Sequence, residues 1–234
     1  MAQRSAGAAG LSGREKILGG VLLAGYLAVF PLFASRVFDS AEFLLGITLE
    51  RATRDAVYYY ALSALTLVVF GGFWRRSARA AFASPGRTLS SLGLGLVAFC
   101  GLNELFTKLL SLLPGQLANL NDAAVSARLG ASPGSTIFIV VFLAPVVEET
   151  LFRGYLFGVL REYSRVGAYV FSCLLWALAH VWQYAAGDWT YLLTAVQYIA
   201  PGLVMAWTCE RAGSLWGSVL LHGTVNALAV WSVL

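Results

Sequence analysis

The chain has 234 residues, of which 59% are hydrophobic and only 12% charged, and its mean hydropathy is +0.73. A water-soluble domain carries about 25% charged residues, so too little charge is present to cover a water-facing surface. The chain reads as an all-α, polytopic transmembrane helical bundle, in which about seven spans of about 20 residues leave connectors but no separate soluble domain.

Residues 1–16 are small, polar and basic and are expected to form a disordered cytoplasmic N-terminus. Span one is expected over 17–34 and tolerates Pro31 near its end. No small-residue cleavage site follows it, so it reads as a retained span rather than a signal peptide. Residues 35–55 pattern as an amphipathic connector on the membrane surface, with Arg51 and Asp55 four apart and able to pair on one helix face. An eighth span would arise if this connector dipped into the bilayer. Span two, 56–74, opens with Tyr58, Tyr59 and Tyr60 and closes with Phe73 and Trp74, as aromatic belts do. A basic loop follows over 75–88. Span three covers 89–113, ends at Pro114-Gly115, and leads through a polar connector, 115–134, to span four at 135–160. Spans five to seven fall at 166–186, 190–208 and 214–233, with boundaries at Gly187-Asp188 and Glu210-Arg211.

The net charge of +4 comes from fourteen arginines and two lysines spread over the span edges. They read as topology signals, and no nucleic-acid surface is implied. One alternation of spans places ten basic residues on one side and four (Arg36, Arg51, Arg54, Arg128) on the other. The N-terminus is then cytoplasmic and the C-terminus outside. Cys100, Cys173 and Cys209 lie in or beside apolar runs and read as small core residues.

Ionisable groups inside hydrocarbon are expensive and point to function. Glu104 and Lys108 in span three are four apart and neutralise each other. Span four carries Glu148, Glu149 and Arg153. Glu149 and Arg153 are one turn apart and form a supporting pair, whereas Glu148 is rotated about 100° away and needs a partner on another helix. The only two histidines, His180 and His222, both sit mid-span, with Trp176 four before the first and Asn226 four after the second. Together these groups define a joint active or transport site. A zinc ion held by Glu148, His180 and His222 is one arrangement of them. A proton-coupled carrier would use the same residues, but no internal repeat or pair of broken helices accompanies them.

Glu148-Glu149-Thr150-Leu151-Phe152-Arg153-Gly154 resembles the first motif, Glu-Glu-x-x-x-Arg, of the CPBP family. These are the CAAX-protease and bacteriocin-processing intramembrane endopeptidases, also called Abi proteins. His222 and Asn226 match the family's His-x-x-x-Asn motif. Trp176 stands in its Phe-x-x-x-His motif where the family has phenylalanine, followed by His180. The resemblance covers about 130–234, leaving 17–129 as N-terminal membrane helices and connectors of unassigned role. It implies a CAAX-protease-like core in the last four spans; the Ala, Gly, Leu and Arg bias of the composition points to a bacterial inner membrane. The resemblance also implies an intramembrane peptidase that cuts a membrane-associated protein or peptide. Catalysis would fall to Glu148, His180, His222 and Asn226, supported by Glu149, Arg153 and Trp176. Glutamate-activated water without a metal cofactor is favoured over the zinc form, because Glu148 as a ligand would leave no base. A non-catalytic bacteriocin-immunity or scaffold protein is the remaining alternative.

Overall fold

The computed structural model describes residues 10–111 and 119–233, and every regular element among them is helical. In chain order these are α1 (Gly13–Leu45), α2 (Arg51–Ala83), α3 (Pro85–Ser111), α4 (Leu120–Ala131), α5 (Pro133–Arg161), α6 (Arg165–Val181), α7 (Trp189–Ala212) and α8 (Leu215–Val233). Five of them, α1, α2, α3, α5 and α7, are long and apolar enough to cross a membrane, and α6 is a shorter apolar helix. The chain is an integral membrane protein built as a helical bundle.

The first helix starts at Gly13, earlier than expected, because Ser12 and Glu15 form a capping box. The expected tail therefore ends before residue 16, and its first nine residues lie outside the described ones. The helix also passes Pro31 and continues to Leu45, so residues 35–45 prolong the first rod instead of forming a connector. The reason is a π turn at Gly25–Val29, where the Phe30 N–H reaches back five residues to the Gly25 carbonyl. This shift places Pro31 near the start of a re-registered helix, where a missing N–H and a fixed φ are tolerated.

Arg51–Ala83 is likewise one rod of 33 residues, which absorbs the rest of the connector and most of the expected basic loop. Phe73 and Trp74 consequently do not end the helix; they are buried in the core, 2% and 8% exposed. The rod is broken at Phe70 (φ −104°, ψ 16°). Just beyond the break, the Phe73 N–H donates to Glu15 Oε1 of α1 at 2.6 Å, so a side chain from another helix caps the second half of α2. Gly72 makes this approach available, since a Cβ there would lie 2.9 Å from the same oxygen. Glu15 is buried, accepts from Arg76 Nη2 at 2.6 Å and from the Ser12 N–H at 2.7 Å, and so joins three backbone and side-chain donors. Glu15→Ala is expected to destabilise the bundle by about 2 kcal/mol, the range for a charged acceptor lost from buried donors. Reversible unfolding in mixed detergent micelles would measure it, and an unchanged midpoint would contradict the capping role.

The remaining helices converge on α7, which packs against α3, α6 and α8. Its last turn contains Glu210 and Arg211, expected at the boundary, and it ends at Gly213 in the left-handed conformation (φ 66°). Glu210 stays helical because it is tied down by Arg161, Arg165 and Tyr169 at 2.8 Å each. α8 is set by α2: Ser77 Oγ accepts the Leu215 N–H at 2.8 Å, and Ser214 Oγ donates to the Ser77 carbonyl at 2.9 Å. The expected polar connector is largely α4, capped by Asn119 accepting the Asp122 N–H at 3.1 Å; Pro114 and Gly115 lie outside the described residues. Asp55 does not pair with Arg51. Its partner is Arg128 of α4, at 3.3 Å, because tertiary packing brings α4 onto α2. Cys173 and Cys209 are buried as expected, while Cys100 is exposed.

Candidate active site

The site is organised by two interruptions of α5. At Ile139–Leu143 the helix opens into a π turn, and the Ala144 N–H bonds the Ile139 carbonyl five residues back. The next residue, Pro145, has no N–H, so the Val140 carbonyl is left without an intrahelical donor. Asn226 Nδ2 of α8 donates to it at 2.8 Å. Gly223 permits the contact between the two helices, because a Cβ there would lie 2.8 Å from the Val141 carbonyl. Asn226 thereby fixes the register of α8 against α5, with one amide hydrogen and its carbonyl still free of that bond. The second π turn, Thr150–Leu156, carries Arg153. Such bulges recur at functional sites.

Between the two turns stand Glu148 and Glu149, on different faces. Glu149 and Arg153 are fully buried and joined at 2.9 Å, as their spacing predicts. Arg153 also donates to the Gly202 carbonyl of α7 at 3.1 Å and sits 4.6 Å from the Trp176 ring centre, a cation–π contact. Glu149 has a second partner that spacing did not indicate: its Oε1 accepts from His222 Nδ1 at 2.9 Å. The pair is therefore also the group that orients a histidine, and it selects the tautomer with hydrogen on Nδ1.

Glu148 faces the other way, toward α6. Its Oε2 accepts the indole N–H of Trp176 at 2.9 Å and lies 3.6 Å from His180 Nε2. Trp176, an aromatic mismatch when read as sequence, thus supplies a donor that phenylalanine lacks. His180 Nδ1 donates to the Trp176 carbonyl at 2.8 Å, which leaves Nε2 directed at Glu148. The His180 ring stacks on Tyr198 of α7 at 4.5 Å, and the Tyr198 hydroxyl donates to Asn119 Oδ1 at 3.0 Å at the head of α4. Tyr198 was not singled out from sequence; its hydroxyl gave no motif. Asp122 lies beside it at 3.4 Å.

Six of the residues singled out from the sequence therefore meet at the junction of α5, α6 and α8. They form two linked clusters, Glu148–Trp176–His180 and Arg153–Glu149–His222, with Trp176 packed against both histidines. Asn226 stands apart from the carboxylates, on the Val140 carbonyl. Glu104 and Lys108 pair at 3.1 Å as expected, both exposed and away from the junction. Among the described residues no three His, Cys, Asp or Glu side chains are grouped to hold a metal ion.

A buried glutamate pair, two histidines and an asparagine thus lie on three neighbouring helices, α5, α6 and α8. Residues 131–228 match the family described as type II CAAX prenyl endopeptidase Rce1-like, so this stretch is a CAAX-protease-family domain. The chain is also similar to UPF0177 protein YxdF of Lactococcus lactis subsp. lactis (strain IL1403), with 29% identity over 107 residues. That similarity covers 45% of this chain and 55% of the relative, so the chain spans about half the length of the curated relative it matches. No solved structure matches it.

Proposed function

We propose that the protein is an intramembrane endopeptidase that hydrolyses a peptide bond of a membrane-associated protein or peptide with water activated by Glu148. The observation that carries this reading is the facing of Glu148 Oε2 and His180 Nε2 across 3.6 Å, with every other polar contact of those two groups already directed elsewhere. A water seated against both atoms donates one hydrogen to each. Glu148 takes a proton as the water oxygen bonds to the scissile carbonyl carbon, and the carbonyl electron pair moves onto its oxygen. In this reading the remaining amide hydrogen of Asn226 donates to that oxygen, and His222, held through Nδ1 by Glu149, donates to it from Nε2 when both ring nitrogens carry hydrogen. When the C–N bond breaks, the proton on Glu148 passes to the leaving nitrogen, giving one carboxylic acid and one amine. The low dielectric around the pair strengthens each of these interactions.

The same reading uses no metal. Glu149 is committed to Arg153 and His222, so a zinc ligated by Glu148 would leave the water without a base. Elemental analysis of the purified protein is expected to give well under one zinc per chain, with turnover unchanged by chelation. One tight zinc, with activity lost on removal and restored on return, would replace this mechanism with the zinc form. For the activity itself, peptide ends in membrane fractions of wild type and Glu148→Gln cells would be compared. Ends present only with Glu148 are expected, and a phenotype that persists with Glu148→Gln and no such ends would favour a scaffold.

The basic residues orient the bundle in a bacterial inner membrane with the N-terminus cytoplasmic and the C-terminus outside. Reporter fusions after residue 80 and at the C-terminus are expected to fall on opposite sides. A shared side would exclude the arrangement of about seven spans.

A further inference from the structure

The aim of His180 at Glu148 is set in part from outside its own helix. Rotation of an imidazole about its Cβ–Cγ bond is broad, so the direction of Nε2 depends on what surrounds the ring. Two restraints are local to α6. Nδ1 donates to the Trp176 carbonyl at 2.8 Å, and the Trp176 ring meets the imidazole edge-on at 4.4 Å. The third comes from α7. Tyr198 lies against the face of the His180 ring, with centroids 4.5 Å apart and planes 27° apart.

Tyr198 is itself held in place. It is buried, and its ring stands edge-on to Trp176 at 5.9 Å. Its hydroxyl donates to Asn119 Oδ1 at 3.0 Å, with Asp122 Oδ1 further off at 3.4 Å. Asn119 is the N-cap of α4: the same Oδ1 accepts the Asp122 N–H at 3.1 Å, and Nδ2 donates to Gln197 Oε1 at 2.8 Å. A carboxamide oxygen has two lone pairs, so Oδ1 takes both bonds at once. Asn119 thus grips two consecutive side chains of α7, Gln197 and Tyr198, while it starts α4. The tyrosine ring cannot tilt away from the imidazole without giving up its hydroxyl bond.

We propose that Tyr198 is a positioning residue for the hydrolysis. Its ring blocks rotation of the imidazole and keeps His180 Nε2 aimed at Glu148 Oε2 across the 3.6 Å where water is activated, and Asn119 holds that ring in place. The inference rests on the proposed peptidase reading. The Tyr198 hydroxyl is spent on α4, so the residue acts through its ring on His180 and not as an acid or base. A loss caused at Tyr198 therefore appears only while His180 is present. Turning the imidazole also takes Nδ1 off the Trp176 carbonyl, and that bond no longer selects the tautomer with hydrogen on Nδ1.

The chain has only two histidines, so their ring nitrogens can be read directly. The full chain, labelled with 15N-histidine in phosphatidylcholine nanodiscs, is examined by NMR at a pH of about 8, above the ordinary histidine range. His180→Ala identifies which signals belong to His180. Wild type is expected to show His180 in the single tautomer with hydrogen on Nδ1. Tyr198→Leu should show both tautomers at His180 with the His222 signals unchanged, and Tyr198→Phe, which keeps the ring and loses its anchor, a smaller share of the second. In single-turnover cleavage of a Glu148-dependent peptide, Tyr198→Leu should lower kcat about tenfold at unchanged KM, within what misplacement of a reacting group costs. In a His180→Ala background the same substitution should cost nothing further. A single Nδ1–H tautomer retained in folded Tyr198→Leu, or an equal loss of rate with and without His180, would overturn the inference. If Tyr198→Leu does not fold, Tyr198→Phe decides instead, and wild-type His180 signals there would overturn it. The NMR arm needs no substrate, so an absence of cleavage would count against the peptidase reading alone.

Discussion

Glu148→Gln is expected to lower kcat by about 10³-fold with little change in fold or in substrate binding, the scale associated with loss of a general base. The amide has nearly the shape of the carboxylate, and its oxygen still accepts the Trp176 indole N–H, so the cluster of Glu148, Trp176 and His180 stays assembled. What the amide cannot do is take a proton from water. Single-turnover cleavage of a peptide found among the Glu148-dependent ends would measure the effect, alongside thermal unfolding of the same preparation. Retention of more than about a tenth of the wild-type rate would remove Glu148 from the bond chemistry.

The second large effect is on stability. Arg153→Ala is expected to destabilise the bundle by about 3–5 kcal/mol, because it leaves the fully buried Glu149 carboxylate without its cation. It also removes the donor to the Gly202 carbonyl and the cation over Trp176, which together hold α5 to α7 and α6. Glu149→Gln should be milder in folded yield but should lower kcat as well, since Glu149 also sets the ring of His222. Folded yield by gel filtration, with kcat and KM of the folded fraction, separates the two changes. A fully folded Glu149→Gln protein as inactive as Glu148→Gln would move Glu149 from orientation to chemistry.

Spacing alone was enough to separate the two adjacent glutamates. Neighbours in a helix point about 100° apart, and only Glu149 has a cation one turn away. The membrane class, the approximate place of the later spans and the set of polar groups were legible for the same reason: an ionisable residue in an apolar run is rare enough to stand out. The limits of the first two spans were not. The sequence shows an amphipathic stretch from residue 35 and a basic run after Trp74 as ends of the first two spans, but a π turn in α1 and a capping glutamate from α1 to α2 carry both helices past them.

The sequence by itself therefore determined that this is a helical membrane protein, and which polar groups lie inside its apolar segments. Local periodicity and the energetic penalty of charge in lipid act within one segment and need no partner. Only the tertiary structure decided the pairings: His222 with Glu149, His180 and Trp176 with Glu148, Asn226 with the Val140 carbonyl, and Asp55 with Arg128 instead of Arg51. Each joins different helices, through a backbone or charged group that its own helix leaves unsatisfied, and such a demand names no partner until the helices are packed.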